Sequence, residues 1–203
     1  MATAAMRQKP VEKRLRPSPG RPISFSVEQY HAIQDAGAIS ELRRYELLQG
    51  QIVEKEVPKP ALVRVTRKLR ERLEVLLANS GYCARVQDPI TLVDSEPEPD
   101  LAIVLAPPGR YDERHPMPDD IALLIEVSES SLPSDRSTKL DTYAKAGIPS
   151  YWIVNLVGNV VEMYTQPRVG KFRKQAVFST KQDVPVTIAR KTFGNIPVKE
   201  FLP

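Results

Sequence analysis

Apolar positions recur along the chain with two periods, one typical of helices and the other of strands. The clearest helix is predicted over 60–81, where apolar residues recur three and four positions apart at Leu62, Val65, Leu69, Leu73 and Leu76. A shorter helix is predicted over 26–37, with Ser26 as its N-cap and Gly37 as its end.

A third helix is predicted over 134–147. Ser134 can cap it, Asp135 suits the positive end of its dipole, and Gly147 ends it. On this helix Lys139 lies at the margin of the apolar stripe. The predicted helix therefore carries a basic side chain beside the core.

Short apolar runs predict strands over 82–93, 101–106, 121–127 and 150–155. All but the first of these runs are almost wholly apolar, which is typical of strands covered on both faces. The polar, proline-rich stretch 107–120 predicts a surface loop.

Further strands are predicted on either side of this central region. Two apolar runs around Gln49-Gly50 in 43–57 predict an N-terminal hairpin, and a C-terminal β extension is predicted from the runs 160–166, 171–178 and 184–188. The order of elements predicts an α/β fold with a mixed sheet flanked by helices. We expect one domain over 23–203, preceded by a disordered tail over 1–22.

The composition excludes several classes of protein. Cys83 is the only cysteine, so an internal disulfide and a cysteine-based zinc site are excluded, and the chain suits a reducing cytoplasm. Apolar runs are too short to span a membrane, and the N-terminus lacks the apolar core of a signal peptide. We therefore expect a cytoplasmic protein that makes no contact with membranes.

The net charge of +4 is unevenly distributed. Up to Arg21 the chain has six basic residues and one acid, so the rest is about neutral. The tail could contact phosphates or act as a solvated extension. The charge of the remainder gives only weak support for nucleic-acid binding.

Two acids stand at the ends of the most apolar strands. If 101–106 and 121–127 pair antiparallel, Asp100 and Glu126 meet at one edge of the sheet. A carboxylate inside a run as apolar as that around Glu126 costs several kcal/mol unless it is paired or bound to a metal. Two convergent carboxylates suit Mg²⁺, although each acid could also simply face water at a strand end.

A nearby ammonium group would assist such a site. Lys139 stands one helical turn before Tyr143 and could reach over the sheet edge. An equally good interpretation pairs an exposed Lys139 with Asp135 on the preceding turn. The sequence leaves these two interpretations open.

These motifs and their spacing resemble those of a known family. The matching residues are Pro99-Asp100, Glu126-Val127-Ser128, Asp135-Arg136, Lys139-Leu140, Tyr143, Gly147-Ile148-Pro149 and Tyr151-Trp152. Together with the hairpin they resemble the Uma2 family, restriction-endonuclease-like proteins of the PD-(D/E)XK nuclease superfamily. The resemblance spans 24–198.

The resemblance implies a restriction-endonuclease-like core with a mixed sheet flanked by helices, an N-terminal β-hairpin and a C-terminal β extension. It implies a Mg²⁺-dependent endonuclease, with Mn²⁺ able to substitute, that hydrolyses double-stranded DNA as a homodimer. Asp100, Glu126 and Lys139 would be catalytic, and Asp100, Glu126 and Glu46 would bind the metal. Ser128 holds the position where the superfamily usually has lysine, and Lys139 on the following helix would replace that lysine.

One departure supports an alternative function. Relatives often have a histidine near the start of the long helix, whereas 59–65 contains none. The chain could thus be a weak or inactive nuclease-fold protein that binds nucleic acid or a protein partner. Serine hydrolysis is poorly supported, since no Gly-x-Ser-x-Gly motif is present around the candidate serines Ser128, Ser130 and Ser131.

Overall fold

The computed structural model describes residues 22–40 and 42–202, and the predicted disordered tail lies outside them except for Pro22. The helices and strands are α1 (Val27–Asp35), β1 (Arg44–Leu48), β2 (Gln51–Lys55), α2 (Pro60–Leu76), β3 (Tyr82–Val86), β4 (Leu101–Leu105), β5 (Ile121–Ser128), α3 (Leu132–Ser134), α4 (Leu140–Lys145), β6 (Ser150–Asn155), β7 (Val160–Arg168), β8 (Lys171–Ser179), β9 (Asp183–Ile188) and β10 (Lys191–Pro197). A π turn (Asp135–Lys139) joins α3 to α4. None of the described helices is long and apolar enough to cross a membrane.

Six strands form a central mixed sheet in the order β3-β4-β5-β6-β7-β8. Only β5 and β6 run parallel, and the other neighbours are antiparallel. In the β4–β5 pair, Ala102 lies opposite Leu124, which confirms the predicted antiparallel pairing of the two apolar strands. The predicted mixed α/β sheet is therefore confirmed.

Both faces of this sheet are covered. On one face, α2 and the β9–β10 hairpin enclose a core that includes Leu69, Trp152 and Val186. On the other face, Leu124 packs with Tyr143 of α4. Every residue of β5 is buried, which explains why its sequence is almost wholly apolar. Because side chains alternate along a strand, Glu126 shares the face of Leu124 and points toward the α3–α4 side.

The N-terminal hairpin turns at Gln49-Gly50, as predicted. Both residues have positive φ, 50° and 74°, as a two-residue turn of this hand requires. A Cβ on Gly50 would lie 2.7 Å from Ser24 Cβ, so glycine is also needed for close packing. Next to the turn, Leu47 exchanges backbone hydrogen bonds of 3.3 and 2.7 Å with Glu96. This pairing fixes β1, and with it Glu46, against the segment that precedes β4.

Two predicted elements differ from the structure. The strand predicted over 82–93 ends at Val86, because Gln87 has a φ of 52° that breaks the extended chain. The third helix begins at Leu132, two residues before the predicted cap, and Ser134 makes no capping hydrogen bond. Proline suits a first helical turn, so Pro133 allows this earlier start.

Candidate active site

A cavity of about 230 Å³ lies where β5 ends, between the β1–β2 hairpin, the start of α2 and the π turn. Its lining includes all four of the predicted site residues, together with one buried acid that was not predicted as a site residue. These side chains are between 1 % and 8 % exposed and are Glu46, Asp100, Glu126, Asp135 and Lys139. The structure therefore brings the predicted residues together at one buried place.

Lys139 forms the centre of this cluster. Its Nζ donates a hydrogen bond of 2.9 Å to Glu126 Oε1 and lies 3.3 Å from Glu46 Oε1. The hydroxyl of Tyr143, one turn further on, donates to the same Glu126 oxygen at 2.9 Å. The alternative of an exposed Lys139 paired with Asp135 does not fit, because Lys139 is buried and bridges two glutamates.

Asp100 is held by the backbone and by a side chain of the loop after β3. Its Oδ2 accepts a 2.8 Å hydrogen bond from the Val127 N–H, and its Oδ1 accepts one of 3.2 Å from Gln87 Nε2. Gln87 Oε1 in turn accepts a hydrogen bond of 3.1 Å from Arg44 Nη1. The positive φ of Gln87 that ends the strand thus also turns an amide toward Asp100.

Asp135 is the buried cavity acid that we did not predict as a site residue. Its Oδ2 accepts hydrogen bonds of 2.7 Å from Ser128 Oγ and from Ser131 Oγ. Its Oδ1 is buried and has no hydrogen-bond partner among the described residues. Its spacing of one turn before Lys139 was the available signal, but in the sequence Asp135 was assigned only to the first turn of a helix, where an acid suits the dipole.

Burial and crowding of like charges shift the pKa values in this cluster. Burial raises the pKa of Glu126 to about 8, although Lys139 opposes the shift. Burial also raises the pKa of Asp135. For Lys139, burial lowers the pKa, but the charges of Glu126, Glu46 and Asp135 outweigh it and hold that pKa above its ordinary value. Lys139 is therefore an ammonium group throughout the ordinary pH range.

The cluster has more acids than bases. The carboxylates of Glu46, Asp100, Glu126 and Asp135 face the ammonium groups of Lys139 and Lys55, whose Nζ lies 3.9 Å from Glu46 Oε2. The raised pKa of Glu126 keeps much of this carboxyl group protonated near neutral pH. When all four acids are ionised, two negative charges lack a neighbouring lysine, which is the charge that one divalent cation supplies. Among the described residues no hydrogen bond reaches Glu126 Oε2, so one oxygen on each of Glu126 and Asp135 has no donor. The donor set therefore fits a hard divalent cation.

No preformed cage for a metal is present in the described part of the chain, since no three His, Cys, Asp or Glu side chains converge closely enough. The Oε2 atom of Glu46, the predicted third ligand, accepts a hydrogen bond of 3.2 Å from the Glu98 N–H. Its Oε1 atom faces Lys139. Its position is that of a partner for lysine, and its role as a metal ligand stays a prediction.

The geometry does not support serine hydrolysis. Ser128 is fully buried, and both Ser128 and Ser131 donate to Asp135, while Ser130 donates to Glu56. No histidine lines the cavity within the described residues, and the chain's two histidines line a separate pocket. The serines thus have acidic hydrogen-bond acceptors and lack an imidazole base.

This mixed sheet, with two acids and a lysine meeting where its central strands end, defines the class of restriction-endonuclease-like nuclease folds. A solved structure described as a putative nuclease belonging to DUF820 from Anabaena variabilis ATCC 29413 superposes with a TM-score of 0.66. The two share 15 % sequence identity over 89 % of this chain and 97 % of that chain. The restriction-endonuclease-like fold is therefore confirmed.

The particular family follows from the sequence match. The model of the Uma2 family, described as "Putative restriction endonuclease", matches residues 27–194. The chain belongs to the Uma2 family, which confirms the resemblance seen in the sequence. No curated protein matches the chain.

Proposed function

We propose that this chain is a Mg²⁺-dependent endonuclease that hydrolyses phosphodiester bonds in double-stranded DNA. The observation that carries the proposal is the meeting of Asp100, Glu126 and Lys139 at one cavity. Membership of the Uma2 family, whose description is "Putative restriction endonuclease", and the likeness in fold to a structure described as a putative nuclease support the reaction class.

Asp100 and Glu126 are the residues that would hold Mg²⁺ or Mn²⁺. Magnesium commonly uses one or two carboxylates and completes its shell with water and phosphate oxygens, so a two-acid site suffices. When bound, such a cation lowers the pKa of a water ligand and neutralises charge on the phosphate. The Oε2 atom of Glu126, which receives no hydrogen bond among the described residues, supports this role.

Lys139 would act as a hydrogen-bond donor and a positive charge. Its raised pKa keeps it protonated, so it suits orienting a water and offsetting charge on the scissile phosphate better than removing a proton. Glu126, Glu46 and Tyr143 hold the lysine side of the site in place through the contacts described above. Tyr143 is a positioning residue, since its hydroxyl is committed to Glu126.

Plasmid nicking tests this proposal. We expect cleavage of supercoiled DNA with Mg²⁺ or Mn²⁺, no cleavage in EDTA, and a loss of at least about 100-fold in Asp100→Ala, the range expected when a group that stabilises the transition state is removed. Asp183→Ala, which removes an exposed aspartate of β9, is the matched control and should keep full activity. Absence of cleavage with every divalent metal tested would refute the proposed nuclease activity.

A homodimer and a cytoplasmic location are part of the same proposal. Two copies would let one assembly cut both strands of a duplex. Light scattering on the purified chain should therefore give twice the mass of 22.8 kDa. A monomeric mass with and without DNA would contradict the dimer and leave the chemistry of the cavity untouched.

A second function is binding of nucleic acid without cleavage. Two observations favour it: the ammonium group of Lys139 is already ion-paired with Glu46 and Glu126, and no histidine is among the described residues that line the cavity. Under this alternative the purified chain binds DNA, Asp100→Ala binds it equally well, and neither protein cleaves it.

A further inference from the structure

Most of the described basic side chains up to Lys139 form ion pairs with acids, whereas the described basic side chains after Lys139 do not. Among the lysines and arginines from Arg43 to Lys139, all but Arg64 and Lys68 form an ion pair. After Lys139, none of the described lysines and arginines does. The region 140–203 also has nine basic residues against four acids, so the near-neutral total charge of the body includes a basic C-terminal region.

Five of these cations form one surface, which we call the basic edge. All five are exposed and lie at the outer side of the sheet, on β7, on β8 and in the turn between β9 and β10: Arg168, Lys171, Arg173, Lys174 and Arg190. Since β8 is an edge strand of the sheet, this surface faces away from the core.

Two cavities flank the basic edge and share Lys174. One, of about 410 Å³ between α4 and β8, is lined by Lys171, Arg173 and Lys174 and contains Asp141. The other, of about 870 Å³ between the central sheet and β9, is lined by Arg168, Lys174 and Arg190. Its two acids are Asp119 and Asp120, and Asp120 is already neutralised by Arg110 and Arg114. Positive charge therefore predominates on both sides of β8.

The candidate active site has the opposite charge. Seven carboxylates and four basic side chains line that cavity, so its bare surface repels a phosphate backbone. A divalent cation offsets only part of this excess. Attraction for a polyanion must therefore come from another surface of the chain.

We infer that the basic edge binds the sugar–phosphate backbone of double-stranded DNA, away from the candidate active site. The inference rests on the proposed function for the identity of the polyanion. Exposed arginines and lysines without carboxylate partners are the side chains that neutralise phosphates and release counterions. The contact would hold DNA on the protein without reading its sequence.

A plainer account is that lysines on an edge strand only prevent edge-to-edge pairing. That account covers Lys171 and Lys174 on β8. It does not cover Arg168, which ends β7, or Arg190, which lies in a turn, and both line the same groove as Lys174. The convergence of cations from three elements is what favours a polyanion.

The test measures binding, not cleavage. Fluorescence anisotropy with a labelled duplex in EDTA compares the full chain with a variant in which Arg168, Lys171, Arg173, Lys174 and Arg190 are changed to Gln. We expect an affinity loss of about 100-fold at low salt, and a slope of log K against log[salt] shallower by about 4.5, near 0.9 for each lost phosphate contact.

A matched control removes the same charge elsewhere. Changing Arg64, Arg67, Lys68, Arg70 and Arg72 of α2 to Gln deletes five cations, most of which are ion-paired or hydrogen-bonded. We expect this control to lose less than about 10-fold, because most of those cations are already engaged. If the five-residue variant fails to fold, Lys171→Gln/Arg173→Gln/Lys174→Gln provides the same comparison with a slope change of about 3.

The outcomes separate this inference from the proposed function. Equal losses in both variants would overturn the basic edge, because the α2 face would then contribute as much. No loss in either variant would also overturn it and would leave phosphate binding to 1–21. Binding of anionic lipid vesicles but not DNA would also overturn it. If the parent binds DNA through the basic edge but never cleaves it with Mg²⁺, the inference stands and the nuclease proposal fails.

Discussion

Removal of the Lys139 charge is the most direct test of the buried cluster. In Lys139→Met the carboxylates of Glu126 and Glu46 lose the ammonium that lies 2.9 and 3.3 Å away. Breaking a buried ion pair by deleting one partner costs about 3–5 kcal/mol. For a chain of this size each kcal/mol lowers the melting temperature by about 2–4 °C, so we expect a fall of roughly 6–20 °C.

The double variant Glu126→Gln/Lys139→Met distinguishes an ion pair from simple loss of packing. Removing both charges leaves no unpaired glutamate at 126, so the double variant should be more stable than Lys139→Met by about 2 kcal/mol or more. Glu126→Gln alone completes the double-mutant cycle. The matched control Lys145→Met changes an exposed lysine of α4 and should alter stability by less than about 0.5 kcal/mol.

Urea unfolding in EDTA, followed by circular dichroism, measures all four proteins. Addition of Mg²⁺ should then recover part of the stability lost in Lys139→Met, because a cation between the carboxylates replaces the missing charge. If the Lys139 and Glu126 changes are additive within about 0.5 kcal/mol, the two side chains are not coupled and the description of the site is wrong.

Three further substitutions test other parts of the structure. The hydrogen bond from Arg114 lowers the pKa of Asp120, so the stability that this carboxylate contributes is complete above the pKa of the unfolded carboxyl group and is lost as the pH falls through the folded pKa. Asp120→Asn should therefore weaken the dependence of urea unfolding on acid below about pH 4. An unchanged pH profile would contradict this. Gly50→Ala should cost about 2 kcal/mol more than Gly37→Ala, since both have positive φ but only Gly50 also lies against Ser24, and equal melting temperatures would refute the packing argument. Tyr143→Phe should lose about 2 kcal/mol in urea unfolding, because its hydroxyl donates to a buried glutamate, and an unchanged midpoint would mean that the hydrogen bond contributes nothing.

The central strands could be predicted from the sequence because their composition reflects their surroundings. The runs that became β4 and β5 are apolar on both alternating sets of positions, and both strands are covered on both faces. Antiparallel pairing then brought Asp100 and Glu126 to one cavity without any further information. The predicted meeting of these acids depended only on strand order and strand ends.

The second half of the site could not be predicted in the same way. The π turn that carries Lys139 depends on contacts with other elements, since the Tyr151 hydroxyl of β6 donates a hydrogen bond of 3.2 Å to the Asp135 carbonyl. Nothing local distinguishes this turn from an ordinary helix start at Ser134. The strand end at Gln87 is similar, because its amide gains a partner in Asp100, which is distant in sequence. Both features are fixed by long-range hydrogen bonds that sequence periodicity does not contain.

Ser128 explains how a lysine on a helix can serve a site whose acids lie on strands. It occupies the position two residues after Glu126, where a lysine would project from β5 itself. Its hydroxyl instead donates a hydrogen bond of 2.7 Å to Asp135. Asp135 is the first residue of the π turn, and Lys139 is the last. The strand thus holds the segment that delivers the ammonium back to Glu126. The Ser128–Asp135 hydrogen bond therefore links β5 to the turn that places Lys139 beside Glu126.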